Sequence, residues 1–143
     1  MTAVTARLDF ELRVDAHRRL MRAAHPDGPG LLAYLARFTV AALREYPVFN
    51  ARLDLDRQEI VEFDRIDLGL AVQGARGLVV PDVMDAGAMT TTRLDQEIRA
   101  VTERAREGRS TPEELAAGTF TLNNYGAFRV DGSAAIINHP QVA

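Results

Sequence analysis

The residue choices with the most capacity for chemistry crowd into one stretch, Gly118 to Ala143. Thr119 to Leu122 is a β-branched and aromatic run that favours a pleated strand, and Asn123-Asn124-Tyr125-Gly126 breaks it with turn-forming residues. The Asn123 carboxamide carries two N–H donors. A second apolar run, Ala134 to Ile137, meets Asn138-His139-Pro140, where proline removes a ladder donor and restricts the residue before it. Two strands flanking a polar, glycine-bearing loop are therefore expected. Histidine is the side chain suited to act as a general base at neutral pH. His17 stands beside two arginines near the start of an amphipathic helix and reads as solvated, His25 precedes Pro26 in a breaker-rich loop, and His139 reads as a loop residue. Arg18, Arg19 and Arg22 fall within about one helical turn of each other, either a cationic array or simply a wet helix face. Asp82 and Asp85 invite a paired-carboxylate reading. The absence of cysteine excludes disulfides, thiolate metal sites and a cysteine nucleophile.

The elements that must position these groups follow from periodicity. Leu8, Phe10, Leu12 and Val14 alternate with charged residues and predict a strand wet on one face. Asp15 suits the N-cap of a helix over Ala16 to Ala24, with Leu20 and Met21 inward, and the loop His25 to Gly30 breaks it. Leu31 to Tyr46 carries apolar residues round most of its circumference and predicts a buried helix stopped by Pro47. Leu53 to Leu55 and Glu59 to Phe63 form a short hairpin. Leu68 to Val72 and Gly77 to Val83 are continuous apolar runs, as expected of strands buried on both faces. Thr90 to Thr92 offer N-caps for a helix to about Glu107, with Leu94, Ile98, Val101 and Ala105 inward and Gly108 at its end, and Ser110 to Glu114 opens another short helix.

Composition narrows the class of molecule. A chain of 143 residues, 47% hydrophobic and 26% charged, suits a soluble single domain. A net charge of −3 gives no electrostatic reason to expect nucleic acid or an anionic membrane, and no apolar run approaches membrane-spanning length. Nothing in the chain reads as a signal peptide, and a cytoplasmic setting is expected. All 17 basic residues are arginine, which reads as composition rather than as a site.

Three segments together carry a resemblance. Gly118 to Gly126 with Ile136-Ile137-Asn138 and Gln141-Val142-Ala143 resembles G-T-F-T-[IVL]-[ST]-N-x-G followed by P-I-I-N-P-P-Q-x-A. Tyr46 to Ala51 resembles F-P-x-[LF]-N-A, and Gly77 to Pro81 with Asp85-Ala86 resembles G-L-V-V-P-V-[IV]-x-[DN]-A. In this order and spacing the three are similar to the catalytic domain of the dihydrolipoamide acyltransferases, the core component of 2-oxo acid dehydrogenase complexes. The resemblance implies an α+β, chloramphenicol acetyltransferase-like fold, a mixed β-sheet flanked by helices. It places residues 1–143 as the amino-terminal part of a single catalytic domain, C-terminally incomplete, with no lipoyl or subunit-binding domain.

That family moves an acyl group between a dihydrolipoyl thiol and coenzyme A, both substrates rather than covalently held cofactors. A tetrahedral oxyanion forms on the way, which calls for a general base and a positioned donor. The resemblance puts the base in a D-H-R-x-x-D-G motif that this sequence does not contain, so the fragment alone is expected to be inactive. It puts the oxyanion donor, a serine or threonine in the family, at Asn123; the alternative is that Asn123 and Asn124 only form a turn. Arg18, Arg19 and Arg22 become candidates for the coenzyme A phosphates, and Ser133 stands where an aromatic often flanks the substrate channel. Asp85 falls in a structural segment and Asp82 replaces an apolar residue, so neither is given an acid–base role, and no metal ligand is expected. The implied partners are further copies in a homotrimer and larger core, lipoyl domains, and the decarboxylase and dihydrolipoamide dehydrogenase components. Two other readings stay open: a non-catalytic trimer-forming module of the same fold, and a relative that acts on another thioester with amine or hydroxyl acceptors.

Overall fold

The computed structural model describes residues 19–20, 22–74, 77–124 and 136–143. The expected strand Leu8 to Val14, the N-cap Asp15, Arg18 and Ser133 lie outside the described residues.

Helix α1 (Leu31–Glu45) begins after Gly30 and ends before Pro47, as the breakers predict. Its first turn is tied to the second helix, because Gly30 N donates to Asp95 Oδ1 at 2.9 Å. The expectation that α1 is buried all round is corrected. Ala33, Ala36, Val40 and Leu43 face the core, whereas Leu35 is 46% and Phe38 68% exposed. Small side chains occupy the contact with helix α2 (Thr91–Arg106), and the larger ones project from the other side. Leu20, expected inward, is likewise corrected. It lies on a helical turn whose described neighbours leave it 68% exposed.

Helix α2 forms as its sequence dictates. The Thr90 hydroxyl accepts from Arg93 N at 3.2 Å, and Leu94, Ile98, Val101 and Ala105 make one buried stripe. At the other end Gly108 adopts φ 70°, with Gly108 N donating to Ala105 O and Arg109 N to Arg104 O, the paired bonds of a Schellman motif. A reciprocal cap between Thr111 and Glu114 opens the single 3-10 turn Glu113–Leu115. Arg104 pairs with Glu114 and holds its carboxyl below the ordinary value.

The strands among the described residues fall into two sheets. β1 (Ala51–Asp54) and β2 (Glu59–Glu62) form the expected antiparallel hairpin, with Leu53 opposite Ile60. β3 (Leu68–Gly74) is the centre of the other sheet, and its consecutive residues Leu68, Gly69 and Leu70 are buried. β4 (Gly77–Val79) and β5 (Asp82–Val83) both run antiparallel to it. They keep one register: Val72 faces Val79, Leu70 N donates to Pro81 O at 2.9 Å, and Leu68 faces Val83. The run Gly77 to Val83 is thus one strand interrupted where Pro81 has no N–H to give. It is not buried on both faces, as expected, because Leu78 at its outer end is 65% exposed. β6 (Phe120–Asn123) pairs with β3 in parallel, Leu68 opposite Phe120, so the sheet is mixed. Helix α2 connects β5 to β6 and packs on β3, and the core joins the α1 and α2 stripes to Leu68, Leu70, Val72 and Val83.

The second strand expected over Ala134 to Ile137 does not form at its described end. Ile136 and Ile137 are irregular, and Ile136 is 93% exposed. Pairing starts only at Pro140, beside β1: Leu53 N donates to Pro140 O, Arg52 bridges Gln141, and Val142 N donates to Ala51 O.

Candidate functional site

The three sequence segments that carry the family-like wording converge on one buried polar seam. From the first, Asn50 is 1% exposed, and its Nδ2 donates to Phe63 O at 2.7 Å and Arg65 O at 3.1 Å. Its Oδ1 accepts from the Thr119 hydroxyl of the third segment at 2.6 Å, and that hydroxyl accepts in turn from Asp67 N at 3.1 Å. Both N–H groups of the Asn50 side chain are thereby committed, and its oxygen keeps one acceptor direction beyond the Thr119 bond. Asp67, 2% exposed, receives Arg65 as a fork on Oδ2 and Asp85 N on Oδ1 at 2.7 Å. The latter bond fixes Asp85 in the left-handed region, at φ 51°.

The second and third segments meet at Gly118. Asp82 is 3% exposed, and its Oδ2 accepts from Ala117 N at 2.9 Å and Gly118 N at 2.7 Å. Gln141, 6% exposed, donates through Nε2 to Gly118 O at 2.9 Å and accepts from the Thr121 hydroxyl at 2.7 Å. These bonds anchor both ends of the approach to β6, whose last residue is Asn123. Asn123 pairs with Ala71 and is exposed, so β6 runs one residue beyond the expected Leu122, and Tyr125 and Gly126 of the expected turn lie outside the described residues. The Asn123 side chain is exposed at the end of an element whose start is held by these bonds.

Burial pushes the Asp82 carboxyl up from 3.8 to about 6, against the two amide bonds, which favour the charged form, and with help from the negative charge of Asp67. A raised value in the fold means that the folded protein holds this proton more tightly than the unfolded chain. The Asp82 contribution to stability is therefore complete below about pH 4 and is lost as pH rises through about 6. At about 1.4 kcal/mol per unit, unfolding in urea should show about 2–3 kcal/mol of stability lost from this group between pH 4 and pH 7. Asp82→Asn should flatten that part of the profile; an unaltered slope would remove the assignment.

The other candidates are dispersed. Arg19 and Arg22 are exposed on the helical turn before α1, on a different element from Asn123. His25 is exposed in a turn closed by Gly28 N on its carbonyl. His139 is exposed on the rim of a cleft of about 250 Å³ that also reaches Asp82, Leu115 and Gln141. Asp82 and Asp85 have different engagements: the Asp82 carboxylate accepts from Ala117 N and Gly118 N, whereas Asp85 donates its backbone N–H to Asp67. Among the described residues no cluster of three or more His, Asp or Glu is placed to hold a metal, and no helix is long and apolar enough to cross a membrane. Sequence reasoning missed the bonded set Asn50, Asp67 and Thr119, and Gln141 with its partners Gly118 and Thr121. All of these but Asp67 lie in the family-like segments, which was the available signal.

Over residues 2–143 the chain matches the family described as 2-oxoacid dehydrogenases acyltransferase (catalytic domain). The chain belongs to this acyltransferase family. It is 38% identical over 113 residues to the dihydrolipoyllysine-residue succinyltransferase component of the 2-oxoglutarate dehydrogenase complex of Bacillus subtilis (strain 168), covering 79% of this chain and 27% of that protein. It is 35% identical over 133 residues to the lipoamide acyltransferase component of the branched-chain alpha-keto acid dehydrogenase complex of Pseudomonas putida, covering 91% of this chain and 31% of that one. The chain thus spans about a third or less of the length of these curated relatives. Among solved structures, the truncated catalytic core of the 2-oxoacid dehydrogenase multienzyme complex from Thermoplasma acidophilum superposes with a TM-score of 0.79 at 28% identity, over 90% of this chain and 59% of that one. The dihydrolipoamide acetyltransferase of Azotobacter vinelandii, studied for a serine, a histidine and an asparagine in its catalytic mechanism, gives a TM-score of 0.79 at 25% identity, over 90% of this chain and 54% of that one. The mixed sheet with flanking helices is the fold of these acyltransferase cores.

Proposed function

We propose that this acyltransferase-family chain supplies the oxyanion-stabilising part of a site that passes an acyl group between dihydrolipoamide and coenzyme A, as the core component of a 2-oxo acid dehydrogenase complex. The observation that carries the reading is the exposed Asn123 carboxamide at the end of β6, beyond a start held by Asp82 and Gln141. The attacking thiolate sulfur forms a bond to the thioester carbon, the carbonyl oxygen gains the charge, and collapse expels the other sulfur, which takes up the proton. A carboxamide N–H aimed at that oxygen stabilises the step in which charge develops. The proton acceptor belongs to a D-H-R-x-x-D-G segment, which this sequence does not contain.

The test joins this chain to a family segment bearing D-H-R-x-x-D-G and measures transfer between acyl-dihydrolipoamide and coenzyme A. Asn123→Ala should lower kcat about a hundredfold with KM little changed, the usual loss for one oxyanion donor. Transfer only to amines or hydroxyls would refute the reading, and a folded but inert joined protein would favour the assembly module. Arg19 and Arg22, with Arg18, are proposed to meet the coenzyme A phosphates. Replacing all three by glutamine should raise the KM for coenzyme A about tenfold, and an unchanged KM would discard that role. Ser133 is proposed to border the channel. Trimers within a larger core, lipoyl domains and the two companion enzymes are the proposed partners, in the cytoplasm.

A further inference from the structure

Asp82 departs from the family-like wording, which has an apolar residue at that place, and the departure is not idle. Its carboxylate accepts from both N–H groups of the Ala117-Gly118 pair, and Gln141 Nε2 donates to the Gly118 carbonyl. Both side chains are more than nine-tenths buried. One backbone residue is therefore gripped at N–H and C=O by side chains from two distant segments. The grip extends into the strand through the Thr121 hydroxyl, two residues before Asn123. An apolar residue at position 82 accepts no hydrogen bond, so the N–H half of this grip belongs to this chain and not to the family wording.

We propose that Asp82 and Gln141 are positioning residues that act through Gly118: together they set where β6 presents Asn123. The inference rests on the acyl-transfer reading for its catalytic meaning. A strand end displaced by about 1 Å loses about a hundredfold at most, and a strand left anchored at one side loses less. Asn123 carries a carboxamide where the family has a short hydroxyl, and this longer donor needs its own setting of the strand. The additional carboxylate provides it.

Two measurements test the proposal. In the chain joined to the D-H-R-x-x-D-G segment, Asp82→Ala and Gln141→Ala should each lower kcat about tenfold, with both KM values within about twofold. Asp82→Asn, whose amide oxygen still accepts from both N–H groups, should recover at least about half of the kcat. Wild-type kcat in both alanine variants, or no recovery in Asp82→Asn, overturns the proposal. Should Asp82→Ala fail to fold, Thr121→Val removes only the hydroxyl bound to Gln141 and carries the same expectation. In the 143-residue chain itself, amide exchange along Phe120–Asn123 should quicken about tenfold in Gln141→Ala while exchange in α2 holds steady. Unchanged exchange in β6 overturns the clamp whatever the assay gives. An inert joined protein whose β6 exchange still quickens on Gln141→Ala sinks the acyl-transfer reading and upholds the clamp.

Discussion

Replacing Asn50 by alanine is expected to lower the stability of the chain by about 3–5 kcal/mol, the largest loss for any single polar side chain in the seam. The side chain is 1% exposed and serves three partners in two segments: the carbonyls of Phe63 and Arg65 and the hydroxyl of Thr119. Alanine removes this partner from two half-buried carbonyls and from the buried Thr119 hydroxyl, at about 1–3 kcal/mol each, partly relieved where water reaches the carbonyls and by the second bond of the hydroxyl to Asp67 O. Asn50→Asp should be no better. It keeps an acceptor for Thr119 but turns a negative oxygen towards two carbonyls. Urea unfolding followed by circular dichroism measures the loss, and a cost below about 1 kcal/mol would show that the seam relaxes without it.

Gly118→Ala is expected to cost about 3 kcal/mol, and the same methyl group should cost far less once Asp82 is gone. A Cβ at this position would run into Asp82 Oδ1 and lie 3.1 Å from Asp82 Cγ and 3.2 Å from Gln141 Nε2. A flexible surface side chain would swing away. Asp82 cannot do so freely, because it is buried and already bonded to Ala117 N and Gly118 N. The methyl group therefore forces either a broken pair of hydrogen bonds or a shifted backbone. In a double-mutant cycle with Asp82→Ala, the two changes should couple by about 1–2 kcal/mol. Strict additivity would mean that the carboxylate and the glycine do not constrain one another.

The parts of this fold that were legible in the sequence are those decided within a few residues. Thr90, the stripe Leu94 to Ala105 and Gly108 specify α2 by capping and period alone, and the structure agrees at each of them. The limits of α1 were legible for the same reason, since Gly30 and Pro47 are local breakers. Which side of α1 is buried was not. The answer depends on the neighbour: α2 comes close enough to select Ala33 and Ala36 over Leu35 and Phe38. Ile136 and Ile137 have strand propensity, but pairing with β1 is set by hydrogen bonds at Pro140 and Val142. The strand before Asn123 was readable from its β-branched and aromatic run, although Asn123 itself reads as turn-forming and the structure includes it in β6. The means of holding that strand was not, because Asp82 and Gly118 are 36 positions apart and the sequence gives no period that joins them.

Among the described residues the hairpin β1–β2 shares no strand with the sheet built on β3. Its attachments, apart from chain continuity, include the Asn50 carboxamide and the backbone bonds at Pro140 and Val142. Such fasteners are short-ranged: they hold nearly full strength until drawn out by a fraction of an ångström and then give way. A load placed on the hairpin from outside would thus reach β6 either almost undiminished or not at all, so this margin of the molecule behaves as a latch and not as a spring.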